Sequence, residues 1–157
     1  MIITESSLKR WDKRFIDLAA HVATWSKDLS TQVGAVIAHE KRLVSVGFNG
    51  FAQNVEDSRE RLTNRDIKYL LTIHAEINAI NFARMPMDGC TIYVYPFPPC
   101  ARCASQIIQA GINRVVAPKI PQELIERWGD ETKLSKTILV EAGIIYSEYE
   151  DCASYSL

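Results

Sequence analysis

The chain has 157 residues, 18 basic and 19 acidic, with a formal charge of −1. That length suits one compact domain over residues 1–157 with its own core, and the near-neutral balance argues against a polynucleotide partner, because phosphate neutralisation supplies most of such binding. No apolar run approaches the roughly 18 residues of a membrane span, and the polar first segment does not read as a secretory leader, so a cytoplasmic location is expected.

Trp11, Phe15, Leu18, Val22 and Trp25 recur at steps of four and three, which predicts a helix over about residues 8–28 with one apolar face. Residues 32–38 (QVGAVIA) and 42–48 (RLVSVGF) read as strands, and the link His39-Glu40-Lys41 makes them a hairpin. The charged stretch 53–68 reads as a loop leading into a helix; residues 73–84 read as a helix that stops before Pro86. Residues 91–95 (TIYVY) form a strand closed by Pro96-Phe97-Pro98-Pro99, and 100–110 a short helix ended by Gly111. Residues 114–117 form a strand, 121–142 contain a helix ending at Gly143, and 144–149 are the last strand. A helix between the last two strands makes them parallel. The expected fold class is α/β: a mixed five-stranded sheet with helices on both faces, a three-layer α/β/α sandwich.

The chemistry concentrates in two motifs. His74-Ala75-Glu76 is followed, 26 residues on from the histidine, by Cys100 in Pro99-Cys100-Ala101-Arg102-Cys103. H-x-E followed by P-C-x-x-C is the signature of zinc nucleobase deaminases. Cys100 and Cys103 lie three apart at the start of a helix, so their sulfurs face the same side, and the helix N-terminus favours thiolates. One histidine and two cysteines make three zinc ligands and leave the fourth position for water, as in catalytic sites. Zinc lowers the pKa of that water to about 7. Glu76 stands about 200° round the helix from His74, placed to move protons beside the water. A C-x-x-C alone reads equally as a structural zinc corner. A structural site would need a fourth ligand, and Cys90, Cys152, His21 and His39 offer none at knuckle spacing. Cys90 and Cys152 read as free thiols.

With Trp25-Ser26-Lys27-Asp28, Ser30-Thr31-Gln32-Val33-Gly34-Ala35, Gly47-Phe48-Asn49-Gly50, His74-Ala75-Glu76-Ile77-Asn78-Ala79-Ile80 and Cys100-Ala101-Arg102-Cys103-Ala104, the chain resembles the cytidine and deoxycytidylate deaminase family over about residues 11–149, and within it the nucleotide-monophosphate branch. The resemblance implies a cytidine deaminase-like fold and one catalytic Zn2+ per chain on His74, Cys100 and Cys103. It implies hydrolytic deamination of dCMP to dUMP and ammonia, in which a zinc-activated water attacks C4 and Glu76 shuttles protons. Asn49 and Ala75 would contact the sugar or base, and Asn49 reads equally as a turn residue before Gly50. Candidate phosphate contacts are Ser26, Lys27 and Thr31 near the first helix end, and Arg65 and Lys68 in the charged approach to His74; Ser26-Lys27 also reads as a solvated helix end. Trp128 is either an aromatic wall over the base or a core tryptophan. Residues 68–73 carry no Cys or His, so a second zinc is not expected, and Pro118-Lys119-Ile120-Pro121 replaces a tyrosine-containing family segment. The resemblance further implies a homo-oligomer, such as a hexamer, and leaves dCTP and dTTP open as effectors. Two other readings stand: a deaminase of CMP, of a 5-substituted dCMP or of a base in tRNA or single-stranded DNA, and an inert zinc-stabilised binding module, against which Glu76 argues.

Overall fold

The computed structural model describes residues 5–150, with side chains from residue 8 onward. Helix α1 (Glu5–Ala23) precedes the hairpin β1 (Gly34–His39) and β2 (Arg42–Phe48). Two short helices, α2 (Arg59–Thr63) and α3 (Arg65–Leu71), lead into α4 (Ala75–Phe82). Strand β3 (Thr91–Tyr95), α5 (Ala101–Gln109), β4 (Arg114–Pro118), α6 (Ile125–Glu141) and β5 (Ile145–Tyr149) complete the order, with a 3₁₀ turn at Gln122–Leu124 before α6. The sheet runs β2-β1-β3-β4-β5. β1 is antiparallel to both β2 and β3, while β3, β4 and β5 are mutually parallel, so the sheet is mixed, as expected.

Alternation along the strands divides the core in two. Ile37, Ile92, Val94, Val115 and Ala117 face α4, α5 and α6, whereas Val36, Tyr93 and Val116 face α1 through Phe15, Ile16 and Ala19. A buried polar lock also fixes α1 to the sheet. Arg114 forks onto Asp12 with N–O distances of 2.8 and 2.7 Å, and the Tyr93 hydroxyl donates to the same carboxylate at 2.9 Å.

Two glycines set how closely helices approach the sheet. A Cβ on Gly34 would collide with the α1 backbone at Ala19 and Ala23, and one on Gly47 with the α4 backbone at Ala75 and Ala79. The second approach matters for function: it seats the first turn of α4 directly on β2, with Ser45 Oγ donating to the Ala79 carbonyl at 2.7 Å.

Three sequence expectations are corrected. The first helix ends at Ala23, not near residue 28. Thr24, Trp25 and Ser26 each donate to the carbonyl three residues back, which tightens and stops the helix. Trp25 therefore leaves the apolar helix face; it is exposed and meets Phe48 edge-on, ring centroids 6.1 Å apart. The stretch 53–68 is not one loop but holds α2 and most of α3, started by Ser58 and Asn64, whose side chains accept from Arg61 N and Ile67 N. The helix expected over 73–84 is shorter at both ends, because His74 is its N-cap and Ala83 its C-cap.

Candidate active site

His74 ends the extended segment before α4, and Cys100 is the N-cap residue of α5 with Cys103 in its first turn. Two helix N-termini thus converge on one point, where their partial positive charge favours thiolate and carboxylate. His74 Nδ1 lies 3.5 Å from Cys100 Sγ and 3.3 Å from Cys103 Sγ, although 26 and 29 residues separate them in the chain. The three ligand atoms all fall within 4.8 Å of one another, and among the described residues no other His, Cys or carboxylate joins them. A tetrahedral zinc with ordinary Zn–N and Zn–S bonds needs a nitrogen–sulfur separation of about 3.6 Å. The donor set and its spacing therefore fit zinc, with one coordination position left free. Cys90 is buried and outside this group, and Cys152 lies outside the described residues.

The three groups perturb one another strongly. The Cys100 thiol is pulled down to about 4, chiefly by the hydrogen bond from the Cys103 thiol, helped by His74 and the Cys103 N–H. Cys103 is pushed up, because it shares its proton with the Cys100 sulfur and is itself buried beside Glu76. The bond to Cys100 raises His74 against the opposing effect of burial. Binding of a divalent cation by these thiols would require that they be deprotonated.

Glu76 is 4% exposed, and burial pushes its carboxyl above the usual range. It reaches the same cavity as His74 and Cys100, a space of about 870 Å³. Ala75 lines that cavity too. His74 makes no side-chain capping bond at the start of α4, and the Glu76 carboxylate accepts from its own backbone N–H instead.

Thr31, Asn49, Arg65, Lys68 and Trp128 also line the cavity, so the structure brings these sequence-selected residues to one place. Asn49 is buried and holds the loop after α1: its Oδ1 accepts from Val33 N at 2.8 Å, and its Nδ2 donates to the Thr31 carbonyl at 2.9 Å. Lys68 is 8% exposed, with Nζ 3.2 Å from both Asp28 Oδ1 and Ser30 Oγ. Trp128 is half-buried and meets Phe97 edge-on, with centroids 5.2 Å apart. Ser26 and Lys27 are not in the lining. The Ser26 hydroxyl is buried and donates to the Asn49 carbonyl at 2.8 Å, and exposed Lys27 pairs with Asp57 at 2.6 Å. Sequence reasoning passed over Asp28, Tyr69, Phe97, Arg127 and Glu131, which the fold adds to the cavity wall. Asp28 and Phe97 carry a local signal, their places in the segments Trp25–Asp28 and Pro96–Pro99.

Residues 9–119 match the family described as the cytidine and deoxycytidylate deaminase zinc-binding region. A protein of Aliivibrio fischeri described as an uncharacterized deaminase in the luxG 3′ region is 47% identical over 137 residues, covering 87% of this chain and 92% of that one. The deoxycytidylate deaminase of Mus musculus is 35% identical over 148 residues, covering 88% of this chain and 79% of its own. Among solved structures, the dCMP deaminase of cyanophage S-TIM5, in complex with dCMP and dUMP, superposes with a TM-score of 0.69 at 18% identity, covering 89% of this chain and 97% of that one. No described helix is long and apolar enough to cross a membrane.

Proposed function

This chain belongs to the cytidine and deoxycytidylate deaminase family, and we propose that it hydrolyses dCMP to dUMP and ammonia. The observation that carries the reading is the buried Glu76 carboxyl in one cavity with His74 and Cys100, which cluster with Cys103. A purely structural zinc corner has no use for such an acid.

His74, Cys100 and Cys103 would hold a zinc ion, which would supply an acidified water for the attack. Glu76 would accept a proton from the attacking water and pass it to N3 of the cytosine. It would then carry the second proton, from the oxygen added at C4, to the amino group, so that C4=O forms as the C4–N bond breaks and ammonia leaves. Burial raises the affinity of the Glu76 carboxyl for protons, which suits a group that must both accept and release them. Ala75, through its backbone, and Asn49 are assigned to the base and sugar, and Phe97 and Trp128 give the ring an apolar wall. Asn49 serves its loop at the same time, since one amide spans both tasks.

The test is ultraviolet absorbance of the zinc-loaded protein with dCMP, CMP, a 5-substituted dCMP, deoxycytidine and a cytosine-containing oligonucleotide. The reading expects kcat/KM on dCMP to exceed that on deoxycytidine by at least about a hundredfold, two to three charge-assisted phosphate contacts being enough for it. Equal efficiency on the two would remove dCMP as the substrate.

A further inference from the structure

Helix α6 brings to the cavity a cation that its sequence does not advertise. Arg127 lines the space from α6, and Arg65 lines it from α3. The Arg127 guanidinium is fixed on two sides: it donates to the Tyr69 hydroxyl at 2.9 Å and sits 5.0 Å from the Trp128 ring centroid. The Arg65 guanidinium lies 5.2 Å from the ring of the same Tyr69. Tyr69 therefore touches two arginines from two helices, and each guanidinium also packs against an aromatic ring.

Among the described residues, neither guanidinium has a carboxylate within ion-pair distance. Other cations do: Lys68 on the same wall is paired with Asp28, Lys27 with Asp57, Arg114 with Asp12 and Lys136 with Glu148. Two guanidinium groups on one cavity, with no carboxylate partner among the described residues, leave an anion as the missing partner. Glu131 lies four residues after Arg127 on the same face of α6, lines the cavity and acts electrostatically on His74. The wall contributed by α6 thus changes sign over one helical turn, about 6 Å along the axis. It is acidic toward the metal ligands and cationic at the exposed rim.

We infer that Arg65 and Arg127 form a clamp for a terminal monophosphate, so that α6 distinguishes a nucleotide from a nucleoside. The inference rests on the deaminase reading of the same cavity. A terminal monophosphate carries close to two negative charges and three free oxygens, which two guanidinium forks can share. A phosphodiester within a strand offers one charge and two oxygens.

The experiment measures equilibrium binding of dUMP, deoxyuridine and inorganic phosphate to the wild type, Arg127→Ala, Arg127→Lys and Arg65→Ala, with thermal midpoints and zinc content recorded for each. For the wild type, dUMP binds at least tenfold more tightly than deoxyuridine, and inorganic phosphate competes with it. The ratio of dUMP to deoxyuridine affinity falls at least tenfold in Arg127→Ala and in Arg65→Ala, and by less in Arg127→Lys, which keeps charge but loses the fork. A wild type that prefers dUMP by a ratio that all three variants retain overturns the clamp and leaves the deaminase reading standing. A wild type that binds neither dUMP nor deoxyuridine overturns both. A variant whose midpoint falls is judged on the affinity ratio of the other arginine's variant, and an unchanged ratio there also overturns the clamp.

Discussion

Lys68 Nζ lies 3.2 Å from Asp28 Oδ1, joining α3 to the loop after α1 across 40 residues of chain. Both side chains are nearly buried, at 11% and 10% exposure, so each compensates a charge that would otherwise be costly to enclose. Burial alone would raise the Asp28 carboxyl; the N–H groups of Thr31 and Ser30, together with Lys68, outweigh it and hold Asp28 below its ordinary value.

Asp28→Asn is therefore expected to cost about 1.5–3 kcal/mol at neutral pH. The sign of the pH dependence follows from a lowered carboxylate. The stabilisation is fully present above the unfolded value near 3.9, and it is lost as pH falls through the lower folded value. Denaturant titrations of wild type and variant should run parallel from neutral pH to about pH 5 and converge below about pH 4. A gap that persists undiminished at the acid end would remove the charge from the explanation.

Metal content is expected to be about one zinc per chain, on the three ligands identified. Cys100→Ala and Cys103→Ala should each lose it on dialysis. Because the thiols must shed protons to bind, affinity should weaken as pH falls. Elemental analysis and competition with a chelator at two pH values check both statements, and a Cys103→Ala protein that keeps its zinc would exclude that ligand.

Glu76→Gln should keep zinc and fold yet lose turnover by about 10³–10⁴-fold, the upper range for a general acid–base group, since the same carboxyl serves successive proton transfers. Steady-state rates on dCMP alongside zinc analysis decide it. Activity within tenfold of wild type would contradict the assignment.

Gly47→Ala should destabilise the protein by about 1–3 kcal/mol, because the added methyl meets backbone atoms of α4, not a side chain that can swing away. For a chain of this size that is a fall of several degrees in Tm, at about 2–4 °C per kcal/mol. Activity should fall with it, since the displaced turn of α4 carries Ala75 and Glu76. An unchanged Tm would mean that α4 shifts without cost.

Sequence patterns legible over a few residues survive in the structure. Residues 42–48 and 91–95 are strands with the expected bounds, and the hairpin joins its two strands as expected. His74, Cys100 and Cys103 meet because each sits at a helix start that its own motif marks. What the sequence hid is non-local or lacks an apolar period. Helices α2 and α3 have almost no buried face, Lys68 being their one buried residue, so no hydrophobic repeat announces them; only Ser58 and Asn64 do, as caps. Arg127 and Tyr69 are 58 residues apart, and nothing near either one points to the other. Ser26 reads by sequence as a phosphate contact or part of a solvated helix end; in the structure it is buried and its hydroxyl donates to the Asn49 carbonyl, a partner 23 residues away.

Strand β3 lies between the candidate metal ligands in the chain, with His74 before it and both cysteines after it. An ion held there would splice two stretches of polypeptide. A chain cut in the connection around Gly89 would yield one piece bearing the imidazole and another bearing the thiolates. Neither piece holds the full ligand set, so zinc would act as a cross-link that favours their reassociation. In chain order the thiols come last, so a zinc site on these three side chains would be complete only once Cys103 has been added.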